Sequence, residues 1–219
     1  MPPSSPSLAV APQATIHVVD DDAAMRRSVA FLVESLGWRA AEYGAAEQFL
    51  AAAAAGDLGC GCLVLDLRMP TMSGLELQQR LRELGCGLPI VFITGHGDVG
   101  TAVQAMKQGA VEFLEKPFKD QALLDAIAQA VRRSVAETSQ QDAGKAARER
   151  FFSLTERERE VAVGLARGWS YKAIARAMGI SDKTVQAHRN HLVEKLELRS
   201  AAELAQLIMK IAPELLAES

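Results

Sequence analysis

The sequence predicts two domains: an α/β domain built on a doubly wound parallel sheet, followed by a smaller all-α domain. Over residues 14–136, short apolar runs alternate with amphipathic helical stretches, and five such repeats predict a parallel sheet of strand order 2-1-3-4-5. From residue 153 onward every pattern is helical. The charge also changes along the chain: residues 1–144 carry 11 Lys and Arg against 17 Asp and Glu, a net −6, whereas residues 145–219 carry 13 against 10, a net +3. We therefore expect the two domains to have different partners.

The apolar periodicity places each element of the first domain. Short apolar runs bounded by polar or Gly residues predict strands, and apolar residues at helical spacing predict the helices between them. The predicted strands are 16–19, 38–43, 62–66, 90–94 and 111–114. The predicted helices are one ending at residue 36 and those at 45–55, 74–84, 98–108 and 119–137. This pattern is flavodoxin-like, a fold that binds ligands at the carboxyl edge of its sheet.

A polar segment separates the two domains. The stretch ETSQQDAGKAARER at residues 137–150 contains a Gly and has almost nothing to bury. Domains are therefore predicted at residues 14–136 and 153–219, joined by a linker at 137–152.

The second domain is predicted to contain four helices. Thr155 and Glu158 have the spacing of a capping box, and Ser200 and Glu203 repeat it. Two helices joined by Met178-Gly179-Ile180-Ser181 are typical of a helix-turn-helix. The predicted helices are 156–167, 171–177, 182–196 and 201–210.

Composition excludes several classes of protein. No apolar run approaches the ~20 residues of a membrane span, and the first residues lack the basic and apolar regions of a secretory signal. Cys60, Cys62 and Cys86 are not accompanied by a Cys or His pair at metal-ligand spacing, so reduced thiols are expected. We therefore expect a cytoplasmic protein without a membrane partner.

Polar side chains follow several strands at one edge of the predicted sheet. Asp20 and Asp21 leave the first strand, and Asp66 ends the neighbouring third strand. A single carboxylate at a strand end usually only caps a turn. Three carboxylates, however, repel each other unless a divalent cation lies between them, and their hard oxygen ligands suit Mg²⁺. Thr94 ends the fourth strand and Lys116 follows the fifth. These five side chains predict a phosphoryl-transfer site, where metal and lysine neutralise charge and a carboxylate attacks.

Four motifs carry a family resemblance. They are VVDDD at 18–22, LVLDLRMPTMSG at 63–74, FITGHGDV at 92–99 and FLEKPF at 113–118. These motifs closely resemble the receiver domain of bacterial response regulators. Together with the C-terminal part, the chain from about residue 16 to 209 resembles the FixJ/NarL family, and within it the FixJ type. Asp22 stands where that family often has Glu, and we interpret it as a helix N-cap rather than a ligand.

The resemblance implies a role for each residue of the acidic site. It implies that Asp66 is the phospho-acceptor, that Thr94 and Lys116 sense the phosphoryl oxygens, and that Phe113 is the aromatic switch residue. By the same resemblance, Lys116-Pro117 is a candidate cis peptide. The implied Mg²⁺ ligands are Asp20, Asp21, Asp66 and the backbone carbonyl of Arg68.

Two other interpretations of these motifs are disfavoured. Gly95–Gly100 matches G-x-G-x-x-G between a strand and a helix, a pattern typical of dinucleotide binding. However, no switch-point crevice opens beside the fourth strand, and Asp98 would repel a pyrophosphate. A phosphatase of the haloacid-dehalogenase type would need an acid two residues after Asp66, where this chain has Arg68. We therefore expect a stoichiometric aspartyl phosphate rather than an enzyme.

The second domain resembles the LuxR-type helix-turn-helix over residues 154–196. On its third helix one face is apolar and should pack inward; this face carries Val185, Leu192 and Leu196. The opposite face should enter the major groove, where Gln186 and Asn190 suit bidentate contact with adenine. The residues suited to phosphate contacts are Lys183, Thr184, His191 and Lys195. The predicted DNA contacts are Lys183, Thr184, Gln186, Ala187, Asn190, His191 and Lys195.

The sequence thus predicts a phosphorylation-gated transcription factor. A sensor histidine kinase is expected to phosphorylate Asp66, and the surface at residues 98–114 then to form a homodimer that binds double-stranded promoter DNA. RNA polymerase is a candidate further partner. A protein of another class stays open as the alternative: a signalling module whose C-terminal helical bundle binds a protein or RNA instead of DNA.

Overall fold

The computed structural model describes residues 14–56, 58–95, 99–198 and 200–217. They form two compact units, one ending at Thr138 and the other beginning at Ser139. The segment tested for signal features and residues 96–98, which include the centre of the G-x-G-x-x-G motif and the start of the predicted dimer surface, lie outside the described residues. Within the described part of the chain, no helix is long and apolar enough to cross a membrane.

The first unit contains a five-stranded parallel sheet of order β2-β1-β3-β4-β5, which confirms the predicted fold class and strand order. The strands are β1 Thr15–Val19, β2 Arg39–Tyr43, β3 Gly61–Asp66, β4 Ile90–Thr94 and β5 Glu112–Glu115. The helices are α1 Ala23–Glu34, α2 Ala46–Ala55, α3 Gly74–Glu83, α4 Val99–Lys107 and α5 Asp120–Phe152. Apart from α5, these bounds differ from the predicted ones by only a residue or two.

The sheet separates two apolar layers. Successive residues of a strand point to opposite faces, so Cys62 and Val64 of β3 join the core formed with α1 and α5. Leu63 and Leu65 join the core formed with α2, α3 and α4. Because β3 is covered on both faces and paired on both sides, every residue of it is buried, including Asp66 at its end.

Parallel register brings the predicted site residues to one edge. Asp20 follows β1 and comes level with Asp66 at the end of β3, because the preceding residues of the two strands are paired. Thr94 ends β4 one residue beyond the partner of Asp66. Lys116 follows β5, whose last residue pairs with Thr94. Four strands therefore deliver their terminal polar groups to the same place.

Gly61 allows β3 to begin close to β1. A Cβ atom at this position would lie 1.8 Å from the backbone oxygen of Thr15, a distance that no side chain tolerates. The amide of Gly61 donates a hydrogen bond to Ser134 Oγ of α5 at 3.1 Å, which satisfies a buried backbone donor and ties α5 to the sheet.

The second unit is helical and has its own core. The four predicted helices are α6 Glu156–Ala166, α7 Tyr171–Met178, α8 Asp182–Leu196 and α9 Ala201–Ile211, and a short α10, Glu214–Ala217, was not predicted. Thr155 and Glu158 form the predicted capping box. Hydroxyl caps also begin α7, α8 and α9. The core includes Val161, Ile174, Val185, Leu192 and Ile208.

The segment predicted as a linker is helical throughout. Helix α5 continues to Phe152, because the Ala, Gln, Glu and Arg residues of the segment favour helix even where they bury little. Its end also differs from a polar linker, since Phe151 is fully buried in the core of the second unit. Arg148 donates a hydrogen bond to the backbone oxygen of Ile211 at 3.0 Å. The domain limits at 136 and 153 stay predictions.

Candidate functional site

Three aspartates cluster at the carboxyl edge of the sheet. Oxygen atoms of Asp20, Asp21 and Asp66 all lie within 4.8 Å of one another. Asp20 is 1% and Asp66 5% exposed, whereas Asp21 is exposed to solvent. The cluster therefore has two buried carboxylates and one that faces water. The strand-end positions predicted that the three acids meet at this edge, but not how their burial differs.

Lys116 connects the two buried carboxylates. Its Nζ donates hydrogen bonds to Asp20 Oδ2 at 2.7 Å and to Asp66 Oδ1 at 2.9 Å. The sequence placed Lys116 at this edge but did not indicate that it bridges both acids. Burial alone would lower the pKa of Lys116, but the hydrogen bonds that it donates to Asp20 and Asp66, together with their negative charges, outweigh that effect and raise the pKa. The ammonium is thus held in its charged form between the two acids.

Both oxygens of Asp66 accept hydrogen bonds. Oδ1 accepts from Lys116, and Oδ2 accepts from the backbone N–H of Arg68 at 3.0 Å. Burial raises the pKa of Asp66 above its ordinary value, and the Lys116 hydrogen bond offsets this only in part. The two donors fix the orientation of a carboxylate that the sheet has largely removed from water.

The remaining predicted residues of the site, Thr94 and Phe113, lie on β4 and β5. Thr94 is fully buried, and its backbone oxygen accepts the N–H of Lys116 at 2.7 Å. Phe113 is half-buried on β5, with its ring centroid 6.3 Å from that of Phe92. The Lys116-Pro117 peptide is cis, as predicted.

Arg26 of α1 is a site residue that the sequence did not reveal. Its guanidinium donates to the backbone oxygens of Asp20 at 2.7 Å and of Asp21 at 3.3 Å. These bonds hold the turn that carries two of the three aspartates. No motif marks such a residue, because it contacts backbone rather than side chains. Asp22 accepts hydrogen bonds from the first turn of α1, which confirms it as the N-cap.

Helix α8 of the second unit presents the predicted DNA-contact face to solvent. Val185, Leu192 and Leu196 are buried in the core, as their spacing predicted. All seven predicted contacts are exposed on the rest of the helix, namely Lys183, Thr184, Gln186, Ala187, Asn190, His191 and Lys195. An amphipathic helix with its polar face outward is the geometry that major-groove recognition requires.

One of these seven residues, Lys195, forms an ion pair with Glu158 of α6. Its Nζ donates to both oxygens of Glu158, at 2.7 and 2.9 Å. Glu158 is buried at the first turn of α6 and also caps the backbone N–H of Thr155 at 2.9 Å. The hydrogen bond from Lys195 lowers the pKa of Glu158 to about 2. This ion pair joins α8 to α6. The Lys195 side chain is nevertheless 44% exposed, and its contact with a DNA phosphate stays a prediction.

Comparison with known proteins identifies the family. The sequence profile of the response regulator receiver domain matches residues 16–128, and that of the luxR family of bacterial regulatory proteins matches residues 152–208. The transcriptional regulatory protein FixJ of Azorhizobium caulinodans is 42% identical over 200 residues, which cover 90% of this chain and 94% of that protein. The chain is a response regulator of the FixJ type.

Solved structures of response regulators support the assignment. The response regulator StyR is 43% identical, with a TM-score of 0.77, and the match covers 90% of this chain and 98% of StyR. Full-length FixJ from B. japonicum is 41% identical, with a TM-score of 0.55, and the match covers 91% and 98% of the two chains. A FixJ-type regulator combines a receiver domain with a LuxR-type DNA-binding domain and regulates transcription in a two-component system.

The Glu158–Lys195 pair generates a prediction about stability. Replacing Glu158 with Gln removes the charge that Lys195 binds, and we expect this to lower the free energy of unfolding by ~1–3 kcal/mol at neutral pH. The lower half of that range is expected, because the Lys195 side chain is 44% exposed and water screens the pair.

The same pair should give a pH-dependent stability. The pKa of Glu158 is about 2 in the folded chain, against an ordinary value of 4.5, so its contribution is complete above pH 4.5 and is lost as the pH falls towards 2. Calorimetric melts of wild type and Glu158→Gln should therefore converge over that interval. Glu160→Gln, which breaks an exposed pair with Arg157 on the same helix, is the matched control and should change little. Equal losses in the two variants would contradict a structural role for Glu158.

Proposed function

We propose that Asp66 is the phospho-acceptor of this response regulator and that a sensor histidine kinase is its donor. The observation that carries the proposal is the position of the Lys116 ammonium, bonded at once to Asp66 and Asp20 within a cluster of three carboxylates. A nucleophilic carboxylate needs cationic groups beside it that can move to the oxygens of the incoming phosphoryl group.

The acidic cluster fits a hard divalent cation. Three carboxylates face a single ammonium, so excess negative charge remains, and all three offer oxygen ligands of the type that Mg²⁺ prefers. Asp21 is exposed, which leaves a side of the site open to water, as Mg²⁺ commonly requires. Asp20, Asp21, Asp66 and the Arg68 carbonyl would hold the ion. When bound, it supplies neutralising charge for the phosphoryl oxygens and the attacking carboxylate.

The transfer itself needs few steps from the protein. An Asp66 oxygen attacks the phosphorus of a phosphohistidine, a P–O bond forms, and the P–N bond breaks with its electron pair leaving on the imidazole. Lys116 then exchanges its bond to Asp66 for one to a phosphoryl oxygen. The hydroxyl of Thr94 and the ring of Phe113 follow, which changes the surface of α4 and β5. Transfer is stoichiometric, because Arg68 occupies the position where a general acid would assist turnover.

Replacing Asp66 with Asn should abolish phosphorylation. The amide cannot attack phosphorus, so labelling by radioactive acetyl phosphate should fall to background. Asp125→Asn, an exposed acid on α5, is the control and should label like wild type. Hydroxylamine-sensitive label that persists in the Asp66 variant would mean that another residue is the acceptor.

Homodimerisation through α4 and β5 is the proposed consequence of phosphorylation. Helix α4 exposes three large apolar residues, Val99 at 81%, Val103 at 45% and Met106 at 43%, which is unusual for a surface helix. Lys107 lies exposed beside them. An apolar strip with a charged rim is typical of a protein–protein interface. The residue that begins the predicted surface, Asp98, lies outside the described residues.

Charge reversal at Lys107 should weaken this dimer. We expect phosphodonor to shift wild type from monomer to dimer and Lys107→Glu to oppose that shift by ~1–3 kcal/mol, an ordinary coupling for such switches. Sedimentation at micromolar protein, with and without acetyl phosphate, measures the shift. Lys119→Glu, an exposed lysine before α5, controls for the change of net charge. An unchanged sedimentation mass on phosphorylation of wild type would overturn the proposal.

We propose that α8 reads promoter DNA through its exposed face. Gln186 and Asn190 lie one helical turn apart and can each donate and accept at an adenine edge, whereas Lys183 is suited to a phosphate. A promoter and RNA polymerase as partners would place the working protein in the bacterial cytoplasm. A helical bundle that binds protein or RNA remains the competing outcome of the binding test.

The residues of α8 should separate by function. Gln186→Ala and Asn190→Ala should each cost ~1–3 kcal/mol on a selected site and little on random DNA, because they remove contacts to base edges. Lys183→Ala should weaken both equally and reduce the salt slope by about one. Binding of the phosphorylated full chain across a salt series is the measurement, with Lys210→Ala on α9 as the control. An unchanged ratio of specific to random binding would exclude α8 as the base reader, and salt-independent or absent DNA binding would favour a protein or RNA partner.

A further inference from the structure

The three aspartates of the acidic site are held in place by different means. Asp20 accepts a hydrogen bond at each carboxylate oxygen, from Lys116 at 2.7 Å and from the backbone N–H of Asp22 at 2.8 Å. Asp66 likewise has a donor at each oxygen. The carboxylate of Asp21 is exposed, and among the described residues it forms no hydrogen bond or ion pair. Its place in the cluster therefore depends on the main chain that carries it.

Arg26 of α1 binds that main chain. Its Nη1 donates to the backbone oxygen of Asp20 at 2.7 Å and to that of Asp21 at 3.3 Å. Both oxygens lie before the start of the α1 ladder, where the backbone oxygen of Asp22 accepts the N–H of Arg26. A backbone oxygen outside a helix or sheet ladder needs another donor. One nitrogen of the guanidinium thus holds two successive backbone oxygens, and the second of them belongs to Asp21.

The Arg26 side chain is itself held in position. It is 18% exposed, and its Nε lies 3.8 Å from Oε2 of Glu42 on β2. Its Nη1 also packs against the chain that follows β2, since a Cβ atom at Gly44 would lie only 3.5 Å away. The planar guanidinium is rigid, so contacts on two sides fix the direction in which it donates. The Glu42 carboxylate also offsets part of its positive charge.

We propose that Arg26 is a positioning residue that sets the affinity of the acidic site for its divalent cation, because it holds the backbone from which the Asp21 carboxylate projects. The inference rests on the proposed function, in which Asp20, Asp21 and Asp66 hold Mg²⁺. Arg26 acts through the backbone and not as a ligand. Its charge and its positioning have opposite effects: a nearby positive charge repels a metal cation, whereas an ordered ligand binds it more tightly.

Manganese titration of the unphosphorylated full chain tests the inference. Mn²⁺ suits the same carboxylate ligands as Mg²⁺, and the paramagnetic resonance signal of free Mn²⁺ measures the unbound fraction. Arg26→Met removes both the donors and the charge. Arg26→Lys keeps the charge, but the lysine stem is one bond shorter than the path to Nη1, so its ammonium should not reach both backbone oxygens. We expect each variant to raise the Kd for Mn²⁺ about tenfold, as the loss of a group that orients a ligand commonly does.

Two further variants serve as references. Arg27→Met replaces an exposed arginine at the next position of α1 and should leave the Kd unchanged. Asp21→Asn removes the charge of the ligand itself and should raise the Kd at least as much as Arg26→Met. Thermal melts in EDTA measure the stability of each variant without metal, and Arg26→Lys decides the question if Arg26→Met does not fold.

The outcomes separate this inference from the function on which it rests. A purely structural role of Arg26 would lower the melting temperature in EDTA and leave the Kd of the folded variants at the wild-type value. A purely electrostatic role would make Arg26→Met bind Mn²⁺ more tightly. Either result would overturn the inference and leave the proposed function intact. Absence of saturable Mn²⁺ binding by wild type, or equal binding by Asp21→Asn, would contradict the proposed metal ligands and this inference together.

Discussion

The Lys116 ammonium is the group on which the acidic site depends. It follows β5, yet its hydrogen bonds reach Asp66 at the end of β3 and Asp20 beyond β1. The long, flexible stem of a lysine can pass over the end of β4, where Thr94 lies, and its compact charge then balances part of the repulsion between the two buried carboxylates. Negative charge therefore remains in excess at the cluster while hydrogen bonds fix the positions of its groups, as the proposed phosphoryl transfer requires. A bridging cation of this kind also links the ends of strands that do not pair with each other.

A second lysine, Lys195, joins two helices of the helical unit. The Lys195 ammonium lies on the helix that carries the DNA-contact residues, but the carboxylate of Glu158 binds it from α6. Glu158 is buried and already serves the N-terminus of α6, so its negative charge needs a close partner. The pair fixes the position of α8 relative to α6, while Lys183, Gln186 and Asn190 are among the polar residues that α8 exposes.

Two arginines of the helical unit differ from both ion pairs. Lys116 and Lys195 each bind a carboxylate of the chain, whereas among the described residues the hydrogen bonds of Arg159 and Arg167 go to backbone oxygens. Backbone oxygens satisfy donors but bring no compensating charge.

Local patterns in the sequence were sufficient to determine the order of strands and helices, the strand-end positions of Asp20, Asp21, Asp66, Thr94 and Lys116, and the caps of the helices. These features depend on periodicity and on residues a few positions apart. The folded structure retains them because β3 is buried on both faces. Tertiary structure alone decided which donors meet which acceptors. Arg26 binds backbone oxygens at the acidic site, Lys195 binds Glu158 thirty-seven residues away, and α5 continues to Phe152. Each outcome depends on the burial of side chains and on the distances between elements that are far apart in the chain. Neither composition nor spacing in the sequence contains these distances.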